Sequence, residues 1–151
     1  MARMHSRKRG KAGSTKPVKK VKPTWVEQKP KVVEALILKL AKAGHTTSEI
    51  GIMLRDAYGV PDVKAITGKK IMQILAENKL APNLPENLTA LIKRHIDLMK
   101  HIEGNKRDKT ANRGAQLTES KINRLVKYYK RKGALAADWK YDKAKAKLLV
   151  G

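Results

Sequence analysis

Cysteine and phenylalanine are absent from this chain, and only two Trp and four Tyr occur among its 151 residues. Without cysteine there is no disulfide framework, no thiolate metal site and no thiol nucleophile, and a reducing intracellular compartment is the natural setting. With so few aromatics, neither the stacked faces of an RRM-type sheet nor those of an OB groove can be assembled. Long apolar runs are missing as well. The greasiest stretch, Val32 to Leu40, is broken by Glu34 and Lys39, whereas a membrane helix needs roughly 18 apolar residues in a row. Acids are scarce too: 13 Asp and Glu face 35 Lys and Arg, a formal charge of +22. Self-repulsion of that size strains a compact fold unless a polyanion neutralises it, and nucleic acid is the default polyanion. No zinc-type His/Glu, Ser/His/Asp or glycine-rich phosphate motif is present. The composition therefore points to a non-enzyme with no cofactor, no small-molecule substrate and no membrane partner, which binds through helices and phosphates.

What is present is helical periodicity. Residues 1–28 are read as a flexible, extended basic arm: the first 22 hold nine cations and no acid, with Gly10, Gly13 and Pro17 breaking any helix. The apolar face that a targeting leader requires is lacking there. Residues 29–82 are read as a module of three short helices. Pro30 opens the first, with Val33, Leu36, Ile37 and Leu40 on one face and Gly44 as its stop; Thr46 and Glu49 form a capping box for the second; Thr67 caps the third, which carries Ile71, Ile74 and Leu75. A helix-turn-helix is a weak alternative, because about nine residues from Gly59 to Thr67 exceed that motif's three- or four-residue turn. Residues 83–133 hold two long stripes: Leu88, Leu91, Ile92, Met99 and Ile102 after Pro85, then Ile122, Leu125, Val126 and Tyr129 before Gly133. They are expected to pack as a long antiparallel helical hairpin. Residues 134–151 hold Trp139 and Tyr141 in a short helical turn after Asp138 and end in a frayed or partner-ordered tail. The class is all-α.

The candidate site is the stretch His101 to Gly114, read as a cation-laden connection between the two long helices. Lys106, Arg107, Lys109 and Arg113 stand there with Asp108 as the lone acid of the central run. Arg94, His101 and Asp108 recur every seven residues and so share one edge. An imidazole and a carboxylate at a helical tip suit the wide, shallow minor groove of A-form RNA, where 2′-hydroxyls and the guanine amino group are displayed; alternatively His101 is a solvated helix end and Asp108 a cap. On the second helix Lys121, Arg124, Tyr128 and Arg131 form an outward basic ridge able to follow a phosphate backbone, or else a merely solvated face. A regulator that binds DNA through the N-terminal module is the rival reading.

Leu91 to Arg131 resembles, without a gap, the helical hairpin of the universal small-subunit ribosomal protein number fifteen. The resemblance is carried by His101, Lys106-Arg107-Asp108, Arg113-Gly114 and the run Leu125 to Arg131. Arg3-Met4-His5, Pro23-Thr24-Trp25, Ile50-Gly51, Leu54-Arg55-Asp56, Thr67-Gly68 and Leu80-Ala81-Pro82 resemble the long archaeal and eukaryotic form. The resemblance implies a cytoplasmic, ribosome-bound protein that grasps a three-way junction of small-subunit rRNA, helps assemble the platform and touches neighbouring ribosomal proteins. It implies minor-groove contacts at His101 and Asp108 and junction contacts near Arg94, Arg124 and Tyr128. Two departures stand out: Ala111 replaces the serine of the bacterial groove-reading trio, so that its bond is lost or passes to Thr110 or Asn112, and Ala81 to Pro85 replaces the bacterial Thr-Gly-Ser loop, leaving Asn87 near its amide contact.

Overall fold

The computed structural model describes residue 18, residues 21–144 and residues 146–149. Most of the arm expected at residues 1–28 therefore lies outside the described residues. Among those described, every regular element is helical: α1 Pro30–Lys42, α2 Thr47–Asp56, α3 Val63–Thr67, α4 Ile71–Glu77, α5 Glu86–Gly104, α6 Lys109–Arg131 and a 3₁₀ turn, Ala146–Leu149. They divide into two compact units, one up to Pro82 and one from Asn83 onward.

In the first unit the local signals act as the chemistry requires. Pro30 fills the first position of α1, and Gly44, at φ +89, closes it: its N–H donates to the Ala41 carbonyl while that of His45 donates to Leu40. Thr46 and Glu49 form a reciprocal capping box, with the Thr46 N–H donating to Glu49 Oε2 at 2.8 Å and the Glu49 N–H to Thr46 Oγ1 at 3.3 Å. The module has four helices rather than three. Asp62 accepts from the Lys64 N–H at 3.0 Å and nucleates α3 inside the stretch taken for a long turn. Thr67 consequently ends α3 instead of capping the next helix, and α4 is led by Lys70, whose N–H donates to the Gln73 side chain. This short helix between α2 and α4 removes the helix-turn-helix geometry. Val33, Ile37, Leu40, Ile50, Leu54, Val60, Val63, Ile66, Ile74 and Leu75 make the core, joined by Val26 from the segment before α1.

In the second unit α5 and α6 pack antiparallel. Leu88, Ile92, Ile122 and Val126 interlock at the base of the hairpin, and each fully buried Leu or Ile contributes roughly 1.5–3 kcal/mol. Gly133, at φ +69, ends α6 in a Schellman turn, the Ala134 N–H donating to the Tyr129 carbonyl at 3.0 Å. Two expectations are corrected here. No helical turn follows Asp138: the Trp139 N–H closes a turn onto the Ala136 carbonyl at 3.2 Å, Trp139 and Tyr141 pack on irregular chain at the base of the hairpin, and Ala146 of the 3₁₀ turn is buried against α5. Met99 is 37% exposed, whereas His95 is buried in the stripe with Leu88 and Ile92. The returning chain explains the exchange, because it covers α5 at His95 and supplies a hydrogen-bonding partner there.

Candidate nucleic-acid interface

The connection between the long helices is much shorter than the stretch His101 to Gly114. Helix α5 persists to Gly104 and α6 begins at Lys109, so only Asn105 to Asp108 turn the chain. Asp108 is the reason: its Oδ1 accepts from the Ala111 N–H at 2.8 Å, an N-cap bond that draws Lys109, Thr110, Arg113 and Gly114 into the first turns of α6. The Asp108 N–H donates to the Asn105 carbonyl at 3.0 Å, and Asn112 Nδ2 donates to the Asp108 carbonyl at 2.8 Å. On the α5 side, Asn105 caps the helix by donating twice to the His101 carbonyl, from its backbone N–H at 2.9 Å and from Nδ2 at 3.0 Å. A tight, internally bonded corner results.

Across that corner His101 Nε2 stands 3.1 Å from Asp108 Oδ2. Asn105 Nδ2 lies 3.4 Å from His101 Nδ1, so a proton on Nε2 satisfies both contacts, with Nε2–H donating to the carboxylate and Nδ1 accepting from the amide. The Ala111 N–H, then His101, hold the Asp108 carboxyl below the usual carboxylate range. Asp108 is thus both the helix cap and the partner of His101. A carboxylate offers about four acceptor sites; the Ala111 N–H and His101 occupy two, and the Thr110 N–H also bears on this carboxylate.

The cations around this corner are left unneutralised. Lys106, Arg107, Lys109 and Arg113 are exposed, and none forms an ion pair among the described residues. Lys109 and Arg113 also flank the amino end of α6, whose unpaired N–H groups and dipole favour an anion. Arg94 is exposed on α5 two turns before His101, about 10.5 Å along the axis. Gly114 is half-buried, and a Cβ built there would sit 4.0 Å from Leu98 Cδ2, so the fold itself has room for a methyl group.

The ridge on α6 lies outward as its spacing requires. Lys121, Arg124, Tyr128 and Arg131 are all exposed and run along about 15 Å of helix. Tyr128 is held edge-on against the half-buried Tyr129, ring centroids 5.2 Å apart, with Lys132 Nζ 6.0 Å from its ring centre. Glu119, the only acid on α6, is taken up by Lys143 at 2.9 Å. The solvated-face alternative calls for lacing by acids, and here the one acid of the helix pairs with the returning tail.

The sequence reading missed the pair beneath this surface. His95 Nδ1 and the Tyr141 hydroxyl are 2.7 Å apart, with the rings edge-to-face at 5.7 Å. Burial pushes the His95 pKa down, and nearby Lys143 adds to this while Glu119 opposes it; burial likewise raises Tyr141. The signal was available in the register, since His95 follows Leu88 and Ile92 at i+7 and i+3 on the apolar stripe. Asn105 was missed as well. Among the described residues no group of three or more His, Asp or Glu is placed to hold a metal ion, and no helix is long and apolar enough to cross a membrane.

Residues 1–60 match the family model described as the ribosomal S13/S15 N-terminal domain, and residues 70–149 match that of ribosomal protein S15. The chain is 49% identical over 150 residues to the small ribosomal subunit protein uS15 of Methanocella arvoryzae, covering 99% of each. It is 47% identical over 150 residues to the protein of the same name from Methanococcoides burtonii, again covering 99% of each.

Proposed function

The chain belongs to the ribosomal protein S15 family, and on that premise we propose that the α5–α6 hairpin is the surface by which it grips small-subunit ribosomal RNA. Its relatives are constituents of the small ribosomal subunit by name, and this chain is a structural component of the same particle, in the cytoplasm. The observation that carries the RNA-binding surface is the locked His101–Asp108 pair at the tip of a two-helix rod, ringed by cations without acidic partners.

The hairpin holds its tip rigidly because both helix ends are capped within the corner itself. His101 and the outward-facing carboxylate of Asp108 enter the minor groove of an A-form helix, where shape and 2′-hydroxyl contacts dominate. Lys106, Arg107, Lys109 and Arg113 meet the phosphates that border the groove, and Gly114 lets the backbone approach them. Arg94, Lys121, Arg124, Tyr128 and Arg131 run along the rod to a second RNA helix, so that the rod sets the angle of a three-way junction and helps build the platform. Asn112 Nδ2 is held by the Asp108 carbonyl on the helix, and Thr110, whose hydroxyl stands exposed beside Ala111, takes the place of the bacterial serine. The protein acts without catalysis. Its partners are rRNA and neighbouring ribosomal proteins, and the Lys and Arg of the first 22 residues add to the charge that meets nearby phosphates.

Sedimentation of tagged protein through a sucrose gradient tests the assignment to the particle, with comigration with small subunits as the expected result. Competition tests the surface: structured junction RNA should displace a labelled RNA far better than duplex DNA at matched salt, and a DNA-binding regulator would reverse that order. Incubation of RNA with purified protein and Mg²⁺ should leave the RNA intact.

A further inference from the structure

Trp25 lies outside the hairpin, and its side chain is the most exposed aromatic among the described residues, at 63%. Its exposure does not come from looseness. The Val26 N–H closes a turn onto the Pro23 carbonyl at 3.2 Å, and Val26 itself is 3% exposed in the core of the first unit. Gln28 Nε2 donates to the Tyr58 carbonyl at 2.8 Å, which ties the same segment to the loop after α2. The six-membered ring of Trp25 rests near Gly59, where an added Cβ would lie 3.8 Å from Cζ3 and where φ is +63, a conformation suited to glycine. A large ring is therefore held in water by anchors on either side of it. Such an arrangement is preorganised for a ligand, because the ordering cost of the ring has already been met in the fold.

The charge around Trp25 names the ligand class. Between Val18 and Lys31 the sequence carries Lys19, Lys20, Lys22, Lys29 and Lys31 against the single acid Glu27. Lys22, Lys29 and Lys31 are exposed and make no ion pair among the described residues. A flat aromatic face set among cations matches a nucleotide in both its parts, ring for base and ammonium for phosphate. We infer that Trp25 is a stacking platform for an unpaired RNA base, a second contact separate from the hairpin; the inference rests on the reading of this chain as an RNA binder.

The full-length protein is titrated with a single-stranded oligoadenylate of about eight nucleotides and with an abasic chain of equal phosphate number, following tryptophan fluorescence. The base-bearing strand should quench Trp25, and Trp25→Leu should remove that quenching, leaving the signal of Trp139, while weakening binding about tenfold. The abasic chain should bind both proteins alike and quench neither. Trp25→Phe, which keeps a ring over Gly59, should retain most of the affinity. Equal affinity of wild type and Trp25→Leu for oligoadenylate, equal quenching by the abasic chain, or equal losses in the Phe and Leu variants would overturn the inference. So would quenching by RNA-free ribosomal proteins with none by oligoadenylate. Intact junction binding alongside absent quenching removes only the platform, whereas quenching without any junction binding removes the hairpin reading instead.

Discussion

His101 Nε2 and Asp108 Oδ2 meet at 3.1 Å across the chain reversal that joins α5 to α6, although seven residues separate them in sequence. Each side chain is fixed from its own helix end, His101 by Asn105 and Asp108 by the Ala111 N–H, so the pair is a built corner rather than a chance surface contact.

That double role of Asp108 separates two variants. Asp108→Asn keeps an N-capping side chain and removes the charge, so α6 should retain its helicity by circular dichroism. Asp108→Ala should lose both. In gel-shift titrations the Ala variant should bind junction RNA roughly ten- to a hundredfold more weakly while losing much less on random duplex RNA. Lys106→Ala should weaken both RNAs similarly; equal losses on the two RNAs for Asp108→Ala would refute groove reading.

Arg124 stands on the exposed ridge with no acidic partner among the described residues. Replacing it with Ala should lower affinity by a similar factor for every RNA tested and reduce the slope of log affinity against log salt by about one. An unchanged slope would mean that the ridge does not touch phosphate.

Gly114 sits within α6 with room for a methyl at ordinary contact distance from Leu98. Gly114→Ala should therefore stabilise the free protein by about 0.5–1 kcal/mol, since glycine inside a helix costs that much relative to alanine. Its melting temperature should rise while its affinity for junction RNA falls. A variant that is stabilised and binds normally would show that close backbone approach at Gly114 is unnecessary.

Burial lowers the pKa of His95, so the unfolded chain takes up a proton at this residue before the folded one does. Stability due to His95 is thus complete above its ordinary pKa of 6.5 and is lost as pH falls from there through the lower, folded value. Tyr141, Glu119 and Lys143 are the titratable groups around it. Melting curves between roughly pH 7.5 and pH 5.5 should show the wild type losing stability on acidification and His95→Gln losing distinctly less. Identical pH profiles would show that His95 is not the source of the acid sensitivity.

Much of the site was legible because it follows from local rules. The seven-residue spacing of Arg94 and His101 is a property of helix geometry, whereas Asp108 lies past the end of α5 and reaches His101 only because the corner reverses the chain; the outward ridge of Lys121, Arg124, Tyr128 and Arg131 is what remains once Ile122, Leu125 and Tyr129 turn inward. The length of the corner was misjudged because one side-chain bond, from Asp108 to the Ala111 N–H, decides whether Lys109 to Arg113 belong to a loop or to a helix. Short-range polar chemistry of the same kind at Asp62 produced α3 where composition suggested a turn.

Periodicity, capping residues and the excess of Lys and Arg determined by themselves that this chain is helical, that it carries a long hairpin, and that it is strongly cationic; the first two depend on residues within a few turns of one another and the third on composition alone. Only the tertiary structure decided that His95 belongs inside and Met99 outside, that Ala146 packs against α5, and that Glu119 is withdrawn from the ridge. Those outcomes depend on Tyr141, Lys143 and Ala146 returning from tens of residues away to cover α5. A polar group is stable in a core only when it is hydrogen-bonded, and where the partner comes from 46 residues away, as Tyr141 does for His95, no local pattern reports its arrival.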